Sequence, residues 1–316
     1  MNFRTELHAK QEPHGLIDYH SKIVLLGSCF AENIGKKLDY FQFQYLENPF
    51  GVLFHPSALE KVVVESINDK NYQTEDLIQN QGIWNSFDAH SRLSSPDQDI
   101  TMSNLNEAIA KLKDALVNAS HLVISLGSAW VYRHMASNRL VANCHKIPQK
   151  EFIKELSDVS SVTESLEGII QLVKSVNKDL RIIFTVSPVR HLRDGFVENN
   201  QSKAHLLAAV HQVVDPRHKV HYFPSYEYMM DDLRDYRYYA EDMVHPNELA
   251  ISYIWDKFVD TWLDSTTEPT MNEVEGIQKG IEHKPFHSDS DEHQAFLNKL
   301  NLKKERLIQE FPHMHF

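Results

Sequence analysis

The sequence predicts a three-layer α/β fold: about five parallel strands, helices on both faces, and a helical C-terminal extension. Three observations predict it. Short apolar runs that read as buried strands alternate with segments of helical spacing along most of the chain. The 316 residues are 42% hydrophobic, enough for one sizeable core. Polar clusters follow the strand-like runs, as they do where ligands bind beyond the carboxyl ends of a doubly wound sheet.

Ile23-Val24-Leu25-Leu26 reads as the first buried strand, and Ala31 to Leu38 as the helix returning from it. Phe41 to Leu46 reads as a second strand. Pro56 to Ile67 has helical spacing, with Pro56 where a first helical turn tolerates it. Residues 68–103 are rich in Asn, Gln, Asp and Ser and suggest a long polar insertion. Leu105 to Leu116 is helical, and Leu122 to Leu126 is a third strand. Pro148 to about Val176 should carry a helix, and Arg181 to Val186 a fourth strand stopped by Pro188. Ser202 to Val214 reads as helix, Val220 to Phe223 as a short fifth strand, and Asn247 to Leu263 as an amphipathic helix.

The chain changes character after about Ser265. Thr266 to Thr270 reads as a linker, His287-Ser288-Asp289-Ser290-Asp291 as a polar stretch, and Gln294 to Glu310 as a helix. The expected division is an α/β domain over residues 1–264 and a linker with a helical extension over residues 265–316, serving packing or homo-oligomer formation.

Composition excludes several function classes. The formal net charge is -12 and no long basic block occurs, which argues against a nucleic-acid partner. Two cysteines, Cys29 and Cys144, make no disulfide framework. The first six residues, Met1 to Glu6, lack an apolar signal core, and no apolar run approaches the ~20 residues of a membrane span. A reducing cytoplasm is the expected location, and no cofactor is expected.

The segment that carries most chemistry is Asp242-Met243-Val244-His245, followed by Pro246-Asn247. An Asp three residues before a His places both on one side of a helical turn, where the carboxylate can hold the imidazole in one tautomer. That is the base half of a nucleophile–His–Asp triad. Its other half would be Gly27-Ser28-Cys29-Phe30-Ala31, directly after the first strand. Cys29 at a helix start reads as a thiolate nucleophile whose pKa the helix N-terminus depresses, against the plainer reading of a small buried apolar residue. Ser28 is the second nucleophile candidate and is better explained as a helix cap.

Three more clusters follow strands. Asn48 to Gly51 follows the second, Gly127 to Trp130 the third, and Ser187 to His191 the fourth. Arg190 and His191 there suit an anionic substrate group; an ion pair with Asp194 would account for the arginine equally well. Asn143-Cys144-His145-Lys146 places four reactive side-chain types together, or is a polar loop with one buried cysteine. Cys144 and His145 with Cys29 or His191 would be a candidate zinc site, although no Cys-x-x-Cys pair supports it. Trp84, His90 and Ser91 lie in the polar insertion, which at this rim would form a wall or lid.

With these motifs in view, the sequence resembles the SGNH (GDSL-like) hydrolases, and specifically the GSCFA family. Gly27-Ser28-Cys29-Phe30-Ala31 matches that family's N-terminal motif letter for letter, and Asp242 to Asn247 is similar to the last motif block. Gly51 and Gly127 look like the glycines of the second and third blocks. The resemblance spans roughly residues 22 to 262 and implies a flavodoxin-like three-layer fold and acyl-ester chemistry; it leaves the substrate open. Aligned without a gap, the usual Gly-Asp-Ser block puts Ser28 at the Asp position and Cys29 at the nucleophile position. The third block's Asn falls on Ala129, so one oxyanion donor is missing. Such a loss typically costs about 10²–10³ in rate, and Asn143, His145 or the Trp130 indole are the available substitutes.

The resulting expectation is an esterase-like hydrolase or acyltransferase acting on a small-molecule or glycan-linked acyl ester or thioester. Cys29 attacks, His245 moves the proton, Asp242 orients His245, and the N–H groups of Cys29 and Gly51 hold the oxyanion. The rival expectations are a non-catalytic small-molecule-binding module on the same fold and a Cys/His metal site.

Overall fold

The computed structural model describes residues 5–286 and 290–316. The expectations for Met1 to Arg4 and for His287 to Asp289 therefore lie outside the described residues.

In chain order, β1 (Lys22–Gly27) leads into α1 (Cys29–Tyr40) and β2 (Gln44–Glu47). Next come α2 (Pro56–Ile67), β3 (Ile78–Asn80), β4 (Ile83–Asn85), α3 (Gln98–Asn118) and β5 (His121–Leu126). Three strands follow, β6 (Trp130–His134), β7 (Arg139–Val141) and β8 (Phe152–Leu156), then α4 (Val159–Val176), β9 (Arg181–Val186), α5 (Phe196–Val213) and β10 (Val220–Tyr222). The turn α6 (Ser225–Glu227) runs into a wide helical segment at Tyr228–Leu233. The chain ends with α7 (Glu248–Trp262), α8 (Glu268–Glu282) and α9 (Asp291–Glu310).

The central sheet has five strands in the order β10-β9-β5-β1-β2, all parallel. Val24 stands opposite Leu122, Ile124 opposite Phe184, and Ile183 opposite His221. Because successive strand residues point to opposite faces, one apolar run feeds two cores. From β1, Val24 and Leu26 join the core under α2, α3, α4 and α5, whereas Ile23 and Leu25 join the core under α1, α7, α8 and α9. β9 divides in the same way, with Ile182 and Phe184 on the first side and Ile183 on the second. This is the three-layer α/β architecture that the alternation of strands and helices predicts.

Four local readings are corrected. The second strand is Gln44–Glu47, because α1 continues to Tyr40 and Phe41 closes it as its C-cap. The insertion at residues 68–103 contains the antiparallel hairpin β3–β4 and the first turns of α3, which Asp97 caps by accepting from the amides of Asp99 and Ile100. The helix expected from Pro148 begins only at Val159. Before it, β8 pairs antiparallel with β6, and β6 with β7, giving a second small sheet in the order β7-β6-β8. The expected linker at Thr266 to Thr270 is a single tight turn, Ser265–Thr267, followed at once by α8. Met271, Val274 and Ile277 from α8, and Leu300 and Leu307 from α9, are buried in the same core as Phe30 and Trp262. The extension thus forms part of one outer layer. Among the described residues no helix is long and apolar enough to cross a membrane.

Candidate functional site

The loop between β1 and α1 begins at Gly27, whose φ of +129° is a backbone state that side chains rarely adopt. A Cβ here would lie 2.1 Å from the carbonyl oxygen of Ser125. The Gly27 N–H donates to Asn48 Oδ1 at 2.8 Å, which ties this turn to the end of β2. Ser28 follows as N-cap of α1: its Oγ accepts from the Phe30 amide at 3.2 Å and lies 2.8 Å from the Ser125 hydroxyl. Ser28 is only 3% exposed. Cys29 is the first residue of α1, so its own N–H has no partner within the helix. Cys29 is half-buried and lines a cleft of about 870 Å³ at the carboxyl edge of the sheet.

His245 lines the same cleft. Its Nδ1 is 2.6 Å from Asp242 Oδ2, while Asp242 Oδ1 accepts from the amides of Val244 and His245 at 2.9 and 3.0 Å. These donors, first among them the His245 amide and ring, hold the Asp242 carboxyl well below the usual carboxylate range. The spacing is not made by a helix. Met243 takes a left-handed φ of +56°, Ala240 donates to the His245 carbonyl at 2.8 Å, and α7 begins only after Asn247. The turn is also pinned from β9's end, where the Arg190 amide donates to the Val244 carbonyl at 3.1 Å.

Burial and then the nearby Glu32 carboxylate push the Cys29 thiol above its ordinary value, more than its own amide and Lys36 pull it down. The expectation of a pre-formed thiolate at the helix start is corrected accordingly: desolvation outweighs the helix terminus. Burial also raises the Cys144 thiol.

The glycines predicted to face an oxyanion have their amides engaged elsewhere. The Gly51 N–H donates to the Asn48 carbonyl at 2.7 Å and the Gly127 N–H to the Phe54 carbonyl at 2.9 Å. Gly51 serves a tight turn at φ +76°, where a Cβ would lie 2.3 Å from the His90 Cβ. The expected oxyanion role of the Gly51 amide is thereby corrected. Asn143 and His145 both line the cleft, yet their polar atoms hold their own loop together and tie it to the insertion. Asn143 Oδ1 accepts from the His145 amide at 2.9 Å and its Nδ2 is 3.4 Å from Ser91 Oγ. His145 is buried, with Nε2 2.6 Å from the Ser86 carbonyl and Nδ1 3.3 Å from Ser91 Oγ. The Trp130 indole donates to the Glu198 carbonyl at 3.1 Å. None of the three replaces the donor missing at Ala129, whose amide is itself held by Ser202 Oγ at 2.7 Å.

Arg190 and His191 line the cleft beside His245. Asp194 does not pair with Arg190; its carboxylate meets Lys154. The Arg190 guanidinium lies 4.1 Å from the Tyr239 ring centre and 5.3 Å from that of Tyr236. Burial and the neighbouring Lys203 charge pull His191 down to about 4, so its ring is neutral near pH 7. The insertion supplies part of the wall through His90 and Arg92, as expected of it; the rest comes from Tyr132 of β6, Val141 of β7 and Phe152 of β8, strands that the sequence reading did not identify. Among the described residues no group of three His, Cys, Asp or Glu is arranged to hold a metal ion, which removes the geometric basis for the Cys29–Cys144 metal reading.

Sequence reasoning missed Lys203. It is 1% exposed and donates to the carbonyls of Gly127 at 2.8 Å and Ser187 at 2.7 Å, joining the carboxyl ends of β5 and β9 beneath the cleft. Burial pulls it down to about 7. The signal was present: Lys203 falls in register with Leu206 and Val210 on the buried stripe of α5.

Residues 22–258 match the family model described as GSCFA family, and residues 274–316 match a second model, GSCFA domain protein, C-terminal domain. No curated protein matches the chain.

Proposed function

The chain belongs to the GSCFA family, and on that premise we propose that it is a hydrolase or acyltransferase of SGNH type acting on an acyl ester or thioester. The observation that carries this reading is the fixed imidazole of His245. Asp242 occupies Nδ1 at 2.6 Å, which leaves Nε2 to exchange a proton in the cleft that Cys29 also lines.

Burial and the Glu32 carboxylate raise the Cys29 thiol, which suits proton loss in step with attack. The resting group is a thiol, so the proton leaves for His245 Nε2 as the sulfur bonds to the acyl carbon. The carbonyl electron pair moves to oxygen, where the amide of Cys29, left without a partner inside α1, is the backbone donor available to it. Collapse expels an alkoxide or thiolate that takes the proton back from His245. A water or a second acceptor then attacks the acyl-cysteine, giving its proton to His245 and releasing the thiol. Asp242 stays ionised throughout and keeps the ring in the required tautomer. Ser28 takes no part, since its hydroxyl serves the helix cap and Ser125.

Incubation with an activated thioester tests the reading. A stoichiometric acyl mass increment on Cys29 is expected, lost in Cys29→Ala and strongly slowed in His245→Ala. Absence of any adduct and of any turnover, with folded protein, would favour the non-catalytic binding module.

A further inference from the structure

The cleft carries an excess of cations in a chain whose net charge is -12. Arg92, Lys146, Arg190 and Arg193 line it, against one carboxylate, Glu32, and that one pairs with Arg92 at 3.3 Å. Among the described residues Lys146, Arg190 and Arg193 form no ion pair with any carboxylate. The acid nearest in sequence, Asp194, is taken by Lys154, and Asp242 is taken by His245.

Arg190 is the most specific of the three. Its guanidinium is held among Tyr239, Tyr236 and Phe196, at 4.1, 5.3 and 5.9 Å from the ring centres. Its Nη1 is buried with no hydrogen-bond partner, and so is His191 Nε2 next to it. A buried guanidinium N–H left unmade is costly, and its five donors match phosphate or carboxylate oxygens. Arg193 and Lys146 stand exposed on two different loops. Two of the uncompensated cations come from the segment between β9 and α5 and the third from the segment between β7 and β8; gathered on one cleft they favour an anion among them, and a concave, partly apolar wall strengthens their field.

We propose that this cleft binds an acyl donor whose non-transferred part is phosphorylated, with the phosphate held by Arg190, Arg193 and Lys146 beside Cys29 and His245. This rests on the acyl-transfer reading of the same cleft. Phosphate is favoured over a lone carboxylate because three cations line one cleft and a dianion can meet more than one of them.

The test uses the full-length Cys29→Ala protein, which cannot form an acyl adduct, titrated calorimetrically with inorganic pyrophosphate. Saturable binding is expected, weakening as salt rises. Arg193→Gln and Lys146→Gln should each weaken it about three- to tenfold, and Arg190→Gln about tenfold or more. Lys219→Gln, at the opposite end of the sheet, should leave it unchanged. Arg190 is packed among rings, so its loss also disturbs local packing; the two exposed variants decide the matter without it. No binding, or binding indifferent to both Arg193→Gln and Lys146→Gln, overturns the proposal. Binding of tricarballylate in preference to pyrophosphate overturns the phosphate assignment. Pyrophosphate binding in a protein that never acylates would sink the acyl-transfer reading and leave the anion site standing.

Discussion

The ammonium of Lys203 donates to the carbonyl of Gly127 at 2.8 Å from a position that solvent does not reach. With the second bond to Ser187, it joins two strand ends that frame the cleft. Its folded value of about 7 lies below the ~10.4 of an unfolded lysine, so between these the unfolded state holds the extra proton. The stability contributed by this group therefore rises with pH through that window, and its cost is full below about pH 7. Relative to Lys203→Met, the native protein should gain roughly 2–3 kcal/mol between pH 6.5 and 9. Chemical denaturation at the two pH values checks this, and a constant difference would contradict it.

Ionisation of Cys29 gives a second expectation. Its alkylation by iodoacetamide should rise with pH toward a midpoint above the ordinary ~8.5, with no head start over Cys144 at neutral pH. Glu32→Gln removes the carboxylate that raises the thiol and frees Arg92, so labelling at pH 7.5 should accelerate by about two- to tenfold. Peptide mass spectrometry over a time course reads both rates.

The serine–cysteine pair separates cleanly by substitution. Ser28→Ala loses a helix cap and leaves Ser125 without its partner, a destabilisation of about 1–3 kcal/mol with turnover largely retained. Cys29→Ala should unfold at nearly the native denaturant midpoint and form no adduct. Turnover that survives Cys29→Ala and is lost in folded Ser28→Ala would make Ser28 the nucleophile.

Asp242→Asn should leave the fold intact, because Asp242 is exposed and its neighbours are backbone amides that an amide oxygen still satisfies. The ring loses the acceptor that fixes its tautomer, and turnover should fall by roughly 10²–10⁴-fold. Steady-state kinetics with the activated thioester measures it, and an unchanged rate would remove Asp242 from the mechanism.

The extension yields a stability measurement. Leu307→Ala empties a buried site shared with the sheet-facing core and should cost about 2–5 kcal/mol while the protein still unfolds in one transition. An early, separate transition would show that α8 and α9 unfold independently.

β1, β5 and β9 were legible because each is buried on both faces and reads as a largely apolar run, β9 at Arg181–Val186 without error; the edge strand β2, partly buried and of mixed polarity, was placed too early. The sheet β7-β6-β8 was not legible. Its strands are short and only partly buried, so Trp130 to His134 shows little contrast between its faces. Asp242 and His245 were readable from their spacing, whereas the left-handed Met243 that brings them together leaves no mark in the residue type. Lys203 was visible in register and passed over because a lysine is rarely buried. The engagement of the Gly51 amide follows from the local turn Asn48-Pro49-Phe50-Gly51, whereas that of Gly127 depends on Phe54, a partner distant in sequence that no local pattern identifies.

Gly27 decides which of two adjacent reactive groups a solute can reach. With the Ser125 oxygen standing where a side chain on Gly27 would have to go, the peptide turns so that the alcohol of Ser28 caps the helix and meets Ser125 while Cys29 lines the cleft. A protein engineer seeking an oxygen nucleophile here would thus gain little by adjusting acidity around Ser28. Reaching it requires displacing the bend by one residue, while Cys29→Ser would put an alcohol on the outward bond already in place.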